Sequence, residues 1–219
     1  MSDELENLLR SSPFLWRGRE LQASEIQSIP SGYAELDRLL PGQGWPRGAV
    51  IEILLESIGI GELRLMLPAI RRLIAEQRLI VMIDTPYQPY APALVAWGLD
   101  LKAFYLIQPE RPEDGWWAAE KALLNPACGM VLLWSGGLRG QQRNGLKEPM
   151  IRRLQVAAQS SQAILLLYRI GSQNPNPPSS WAALRMRLAG QDGVLRIELL
   201  KARGSLEQSQ LLLNLDNLA

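Results

Sequence analysis

Five short apolar runs, most of them followed by a stretch with helical periodicity, constrain this chain most. They are Ala49–Leu55 (AVIEILL), Leu79–Asp84 (LIVMID), Phe104–Gln108 (FYLIQ), Gly129–Trp134 (GMVLLW) and Ala163–Arg169 (AILLLYR). Runs this short and this continuously apolar read as strands buried on both faces, the situation of a parallel sheet covered by helices. The intervening helices are expected over Glu62–Gln77, Ala91–Trp97, Pro112–Leu124 and Glu148–Ser160. In the first, Leu63, Leu67, Ile70 and Ile74 recur on one helical face, and Pro68 should kink it or loosen its first turns. Further helices are expected over Tyr33–Leu40 and Trp181–Leu188, with Gly171–Ser180 an irregular loop rich in Pro, Asn and Ser. Val194–Lys201 and Leu211–Leu215 read as a closing hairpin. The expected class is α/β: a mostly parallel twisted sheet flanked by helices, with antiparallel C-terminal strands.

Composition narrows the chemistry. A 47% hydrophobic content over 219 residues supports a packed core. A net charge of +1 excludes a strongly basic coat for nucleic acid and an acidic tail. The absence of histidine excludes Ser-His-Asp hydrolysis, Cys-His proteolysis and histidine-ligated metals. One cysteine, Cys128, excludes an internal disulfide framework and a multi-cysteine zinc site, and reads as a small buried residue before its strand. No cofactor and no metal is expected. No apolar run approaches the ~20 residues that cross a bilayer. The segment Met1–Arg10 is acidic and amphipathic, with Leu5, Leu8 and Leu9 on one face, unlike a secretory signal. A cytoplasmic protein is expected.

The first strand-to-helix turn of an α/β domain is where phosphates bind. Here it runs Leu54-Leu55-Glu56-Ser57-Ile58-Gly59-Ile60-Gly61-Glu62. A phosphate loop needs a leading glycine, a lysine to neutralise charge and a hydroxyl for Mg²⁺. This turn keeps Gly59 and Gly61, but has leucine or glutamate at the leading glycine, Glu62 at the lysine and Leu63 at the hydroxyl. A carboxylate facing phosphates repels them. The run Met130–Trp134 ends in Trp134 where a metal-holding aspartate belongs, and Asp84 is followed two residues on by Pro86 where a catalytic carboxylate belongs. Ser57, Gly59, Gly61, Glu62, Asp84 and Trp134 therefore mark a degenerate nucleotide site. Trp134 is expected to fill it with apolar mass, and Glu62 to cap its own helix.

Ser31-Gly32-Tyr33-Ala34-Glu35-Leu36-Asp37, then Gly42, Gly44, Trp45-Pro46-Arg47-Gly48 and Val50-Ile51-Glu52-Ile53, resembles the RecA recombinase core. The resemblance covers residue 29 to the end and implies a RecA-like domain over 29–219 lacking functional Walker motifs, preceded by an N-terminal helix and arm over 1–28. Within that superfamily, Leu15-Trp16-Arg17-Gly18, Gly42-Gln43-Gly44-Trp45-Pro46, Gly59-Ile60-Gly61-Glu62-Leu63-Arg64-Leu65 and Tyr90-Ala91-Pro92-Ala93-Leu94 are similar to the ImuA family of translesion-synthesis accessory proteins. That likeness implies a non-enzymatic role in SOS-induced DNA-damage tolerance, with RecA, an ImuB-type polymerase homologue and an error-prone replicative-type polymerase as partners, in the cytoplasm and on the nucleoid after damage. The SulA family of division inhibitors, which bind FtsZ, shares the Gly-Glu-Leu turn and is the alternative.

By the same resemblance, Arg139, Arg143, Lys147, Arg152 and Arg153 lie where RecA carries a DNA-binding loop, implying weak single-stranded DNA contact; an ordinary solvated face is the other reading. Phe14, Leu15, Trp16 and Arg17 form an arm that either docks on RecA, ImuB or a second copy, or folds back on its own core. Arg169, Arg185, Arg187, Arg196, Lys201 and Arg203 form a second basic set, read as solvated surface or a partner surface. Arg185 and Arg187, two apart on the expected helix, would not share one stripe. Of the adjacent Trp116 and Trp117, one is expected in the core and one more exposed.

Overall fold

The computed structural model describes residues 26–135, 148–170, 180–191, 194–202 and 209–215. Its strands are β1 (Ser28–Ile29), β2 (Trp45–Pro46), β3 (Ala49–Leu55), β4 (Leu79–Ile83), β5 (Phe104–Ile107), β6 (Cys128–Ser135), β7 (Ile164–Ile170), β8 (Leu184–Gln191), β9 (Val194–Ala202) and β10 (Ser209–Leu213). Its α-helices are α1 (Ala34–Asp37), α2 (Leu67–Ala75), α3 (Ala91–Ala96), α4 (Pro112–Leu124) and α5 (Glu148–Ser161).

The large sheet has eight strands in the order β10-β9-β8-β3-β7-β6-β4-β5. From β8 to β5 the neighbours are parallel; β9 and β10 extend the sheet antiparallel. β3 is fully buried along its length because it pairs with β7 on one side and β8 on the other. Alternate residues of the parallel strands serve two cores. Ile51, Ile53, Leu132, Leu166 and Leu184 face α1, α2 and α3, whereas Val50, Val131, Leu133, Leu165 and Leu167 face α4 and α5. The α/β class and the antiparallel C-terminal strands expected from the sequence are present.

Three boundaries differ. The segment Trp181–Leu188 is no helix: Leu184–Gln191 is a strand whose Leu184, Met186 and Leu188 enter the first core. Tertiary pairing with β3 overrides the helix propensity of Ala, Leu, Arg and Met. Arg185 and Arg187 consequently lie on one face of a strand, contrary to the expectation from a helix. The helix expected from Glu62 begins as a 3₁₀ turn, Arg64–Met66, and becomes α only at Leu67. Pro68 sits in its first turn, the place where a missing N–H costs no helix bond. The helix expected over Tyr33–Leu40 is confined to α1, which is held at its start by a hydrogen bond from the Ser31 amide to Asp37 Oδ1 at 2.8 Å.

Gln155 of α5 fixes the entry to β3. Its Oε1 accepts from the Val50 amide and its Nε2 donates to the Gly48 carbonyl, both at 2.9 Å. Among the described residues, no helix is long and apolar enough to cross a membrane.

Candidate functional site

The turn between β3 and the 3₁₀ segment starts at Glu56, whose amide donates to the Leu188 carbonyl of β8 at 3.1 Å. Gly59 and Gly61 both take positive φ, +82° and +102°. At Gly59 a side chain would meet open space, but at Gly61 a Cβ would lie 2.5 Å from Leu215 Cδ1. Leu215, just past β10, therefore packs directly on the turn.

The Glu62 side chain folds back into the turn that precedes it. The Gly59 amide donates to the Glu62 carboxylate, with both oxygens at 3.2 Å. Glu62 is 6% exposed, whereas Ser57 and Gly59 lie at the surface. An N–H at this point of a strand-to-helix turn is the donor a phosphate oxygen would use. Here it is held by an anion that belongs to the chain. Glu62 was expected to cap the following helix; it caps the loop instead.

Beneath the turn lies an aromatic column. The buried Tyr168 hydroxyl donates to the Glu62 carbonyl at 3.3 Å. The Tyr168 ring stacks on Trp134, with centroids 4.7 Å apart and planes inclined by 24°. Register explains the stack: Trp134 on β6 stands opposite Tyr168 on β7, which in turn stands opposite Ile53 on β3. Burial, reinforced by the nearby Glu62 charge, pushes the Tyr168 phenol well above its ordinary range. The stack fills the space under the loop with apolar mass, and Tyr168 contributes as much as Trp134.

The structure brings Gly59, Gly61, Glu62 and Trp134 into one unit. Asp84 is placed apart. It follows β4, which β7 and β6 separate from β3, a spacing of roughly 14 Å for three strand intervals. Its amide donates to the Ile107 carbonyl of β5 at 3.0 Å, turning that end of the chain toward the sheet edge.

Of the expected DNA-contacting residues, Arg139, Arg143 and Lys147 lie outside the described residues. Arg153 pairs with Glu120 of α4 at 2.7 Å, and Arg152 lies over the Trp181 ring, 5.2 Å from its centroid. The arm residues Phe14, Leu15, Trp16 and Arg17 also lie outside the described residues. In the second basic set, Arg185 is no solvated residue. Its side chain is 6% exposed and its Nε lies 2.8 Å from Glu52 Oε2, while Arg169 meets Glu52 Oε1 at 2.6 Å. Arg187 pairs with Glu198, its cross-strand neighbour. Arg203 lies outside the described residues. Trp116 is half-buried against the second core, and Trp117 is exposed. Burial pushes the Cys128 thiol from 9.0 up to about 11, so it is no nucleophile near neutral pH.

Two features of the site lie outside the sequence-based expectations. Tyr168 falls in an expected strand with no site role, although Ile164, Leu166 and Tyr168 alternate toward the face that Trp134 shares. Glu52 falls inside an apolar run, where a lone carboxylate needs a cationic partner. No family model matches the chain, and no curated protein matches it.

Proposed function

We propose that this chain is a non-catalytic accessory protein of SOS-induced translesion DNA synthesis, a RecA-like pseudo-ATPase that binds RecA, an ImuB-type polymerase homologue, or both. The residue likeness over Ser31–Ile53 and Gly59–Leu65 motivates the reading. The observation that carries its pseudo-ATPase part is the Gly59 amide held by the Glu62 carboxylate. A nucleotide entering in the usual mode must expel that carboxylate and then sit beside it, with the aromatic column closing the floor.

A surface for protein contact supports the binding role. Among the described residues β5 ends the sheet, paired on one side with β4. Its Tyr105 and Leu106 are exposed, and so are Tyr87 and Tyr90. An exposed apolar edge strand invites strand addition by a partner segment. In this reading, weak single-stranded DNA contact is left to the segment bearing Arg139, Arg143 and Lys147, and the protein works in the cytoplasm, on the nucleoid after damage.

The test is co-purification of the tagged chain from DNA-damaged cells, with bound proteins identified by mass spectrometry. RecA, an ImuB-type homologue or the error-prone polymerase is the expected catch. FtsZ without any of them overturns the reading in favour of a division inhibitor. Calorimetry with Mg-ATP is expected to show no binding, and a dissociation constant below about 100 μM, roughly 5–6 kcal/mol of binding, overturns the pseudo-ATPase assignment.

A further inference from the structure

A groove runs between α4 and α5 on the face away from the turn. It consists of two hollows of about 500 and 180 Å³ that share Glu120 and Arg153, whose ion pair crosses between them. The larger hollow is lined by Leu124, Val156 and Trp181, which are 50%, 61% and 53% exposed. The smaller is lined by Trp116, Trp117 and Met150. Each end carries a cation over an indole: Lys121 lies 5.8 Å from the Trp117 centroid and Arg152 lies 5.2 Å from that of Trp181. An apolar floor this exposed fits an amphipathic helix laid along it.

We propose that the occupant is the chain's own segment Asp3–Arg10, docked in cis. Its position lies outside the described residues, so the assignment rests on pattern and reach. The sequence DELENLLR places Leu5, Leu8 and Leu9 at i, i+3 and i+4, the spacing with which a helix anchors in a groove. The hollows carry Glu113, Glu120 and Glu148 beside Arg152 and Arg153, so it is the leucines and not the acids of the segment that match the groove. Eight helical residues span about 12 Å, and α5 from Met150 to Ser160 offers about 15 Å. Reach is ample. The Gln27 carbonyl accepts from the Arg47 amide at 2.8 Å, and the next residue, Gly48, lies against Gln159 in the last turn of α5. The described chain thus begins beside one end of the groove, and the residues between Leu9 and Ile26 extend up to about 55 Å.

The occupancy concerns a surface remote from the loop and does not depend on the proposed function. The test is disulfide trapping in the full chain, in which the native Cys128 is buried. The double variant Leu8→Cys with Val156→Cys is oxidised at high dilution beside Leu8→Cys with Tyr87→Cys, whose second thiol sits near the β5 edge. Intramolecular bonding, read as the loss of two hydrogens in the intact mass, is expected at least ~10-fold faster in the first, because docking raises the local thiol concentration. Leu9→Cys with Leu124→Cys reads the same contact should the first variant fail to fold. Equal rates in test and control overturn the proposal. Disulfide-linked dimers also overturn it, assigning the groove to the segment of a second copy.

Discussion

The Gly59 amide is hydrogen-bonded to the carboxylate of Glu62, three residues on, and both oxygens are equidistant from it at 3.2 Å. The loop is thereby organised from within. Replacing Glu62 by Gln removes the charge and weakens this contact. The expected cost is about 1 kcal/mol, the range of a long hydrogen bond, which is a Tm loss of about 2–4 °C at this chain length. Amide hydrogen exchange at Gly59 should rise in the same variant. An unchanged exchange rate at Gly59 would show that the carboxylate does not hold the turn.

The two loop glycines should respond differently to alanine. Both need positive φ, so Gly59→Ala carries a backbone cost of about 1 kcal/mol. Gly61→Ala carries that cost and a collision with Leu215. Urea titration should place Gly61→Ala at least about 1 kcal/mol below Gly59→Ala. Adding Leu215→Ala to Gly61→Ala should cost less than Leu215→Ala alone, because the clash is removed with the leucine. Strict additivity would place Leu215 away from the turn.

Alkaline stability should depend on Cys128. Its thiol titrates at about 11 in the fold against 9.0 unfolded, because burial penalises the thiolate. Since the folded value is the higher one, the contribution is fully present below pH 9 and is lost as pH rises toward 11. That is worth about 2–3 kcal/mol for a shift of this size. Tyr168, raised by burial and by Glu62, adds a loss in the same direction beginning near pH 10. Stability measured by urea midpoints between pH 8.5 and 11 should fall less steeply in Cys128→Ala than in the parent. Parallel slopes would mean that the thiol is accessible in the fold.

The buried carboxylate of Glu52 compensates two guanidinium groups, one of them nearly as buried as itself. Glu52→Ala leaves Arg185 without that counter-charge in the interior and should cost about 3–5 kcal/mol. Arg169→Ala, removing the more exposed partner, should cost clearly less. Chemical denaturation of both variants decides the ranking, and equal losses would contradict the burial difference.

Much of the architecture was legible because local and tertiary preferences agree. β3 and α4 fall on the residues their patterns mark, since AVIEILL is too apolar to leave the core and PEDGWWAAEKALL begins with proline and acids and carries lysine near its end. β8 failed because its residues favour helices while its alternation favours strands. Leu184, Met186 and Leu188 against Arg185 and Arg187 is a period of two, and that signal outranked composition. The site was legible in identity and not in geometry. Residue types alone show that Glu62 repels phosphate. They do not show that it turns back to the Gly59 amide, or that Tyr168 fills the space between Glu62 and Trp134. The first is a local contact set by the positive φ of Gly59 and Gly61, and the second joins elements far apart in sequence, which no local pattern encodes.

β3 carries a further consequence for how the protein is made. Its partner on one side is β8, with Ile51 opposite Leu184, so the innermost strand is synthesised long before its second neighbour exists. Until the ribosome has passed that point, this largely apolar ribbon of the nascent chain has an open flank, and open flanks template pairing between molecules. A chain truncated after residue 180 should collect in the pellet where the full chain does not. For this protein the hazardous interval is translation itself, and the residues after 180, under a fifth of the chain, act as a lid on its own biogenesis.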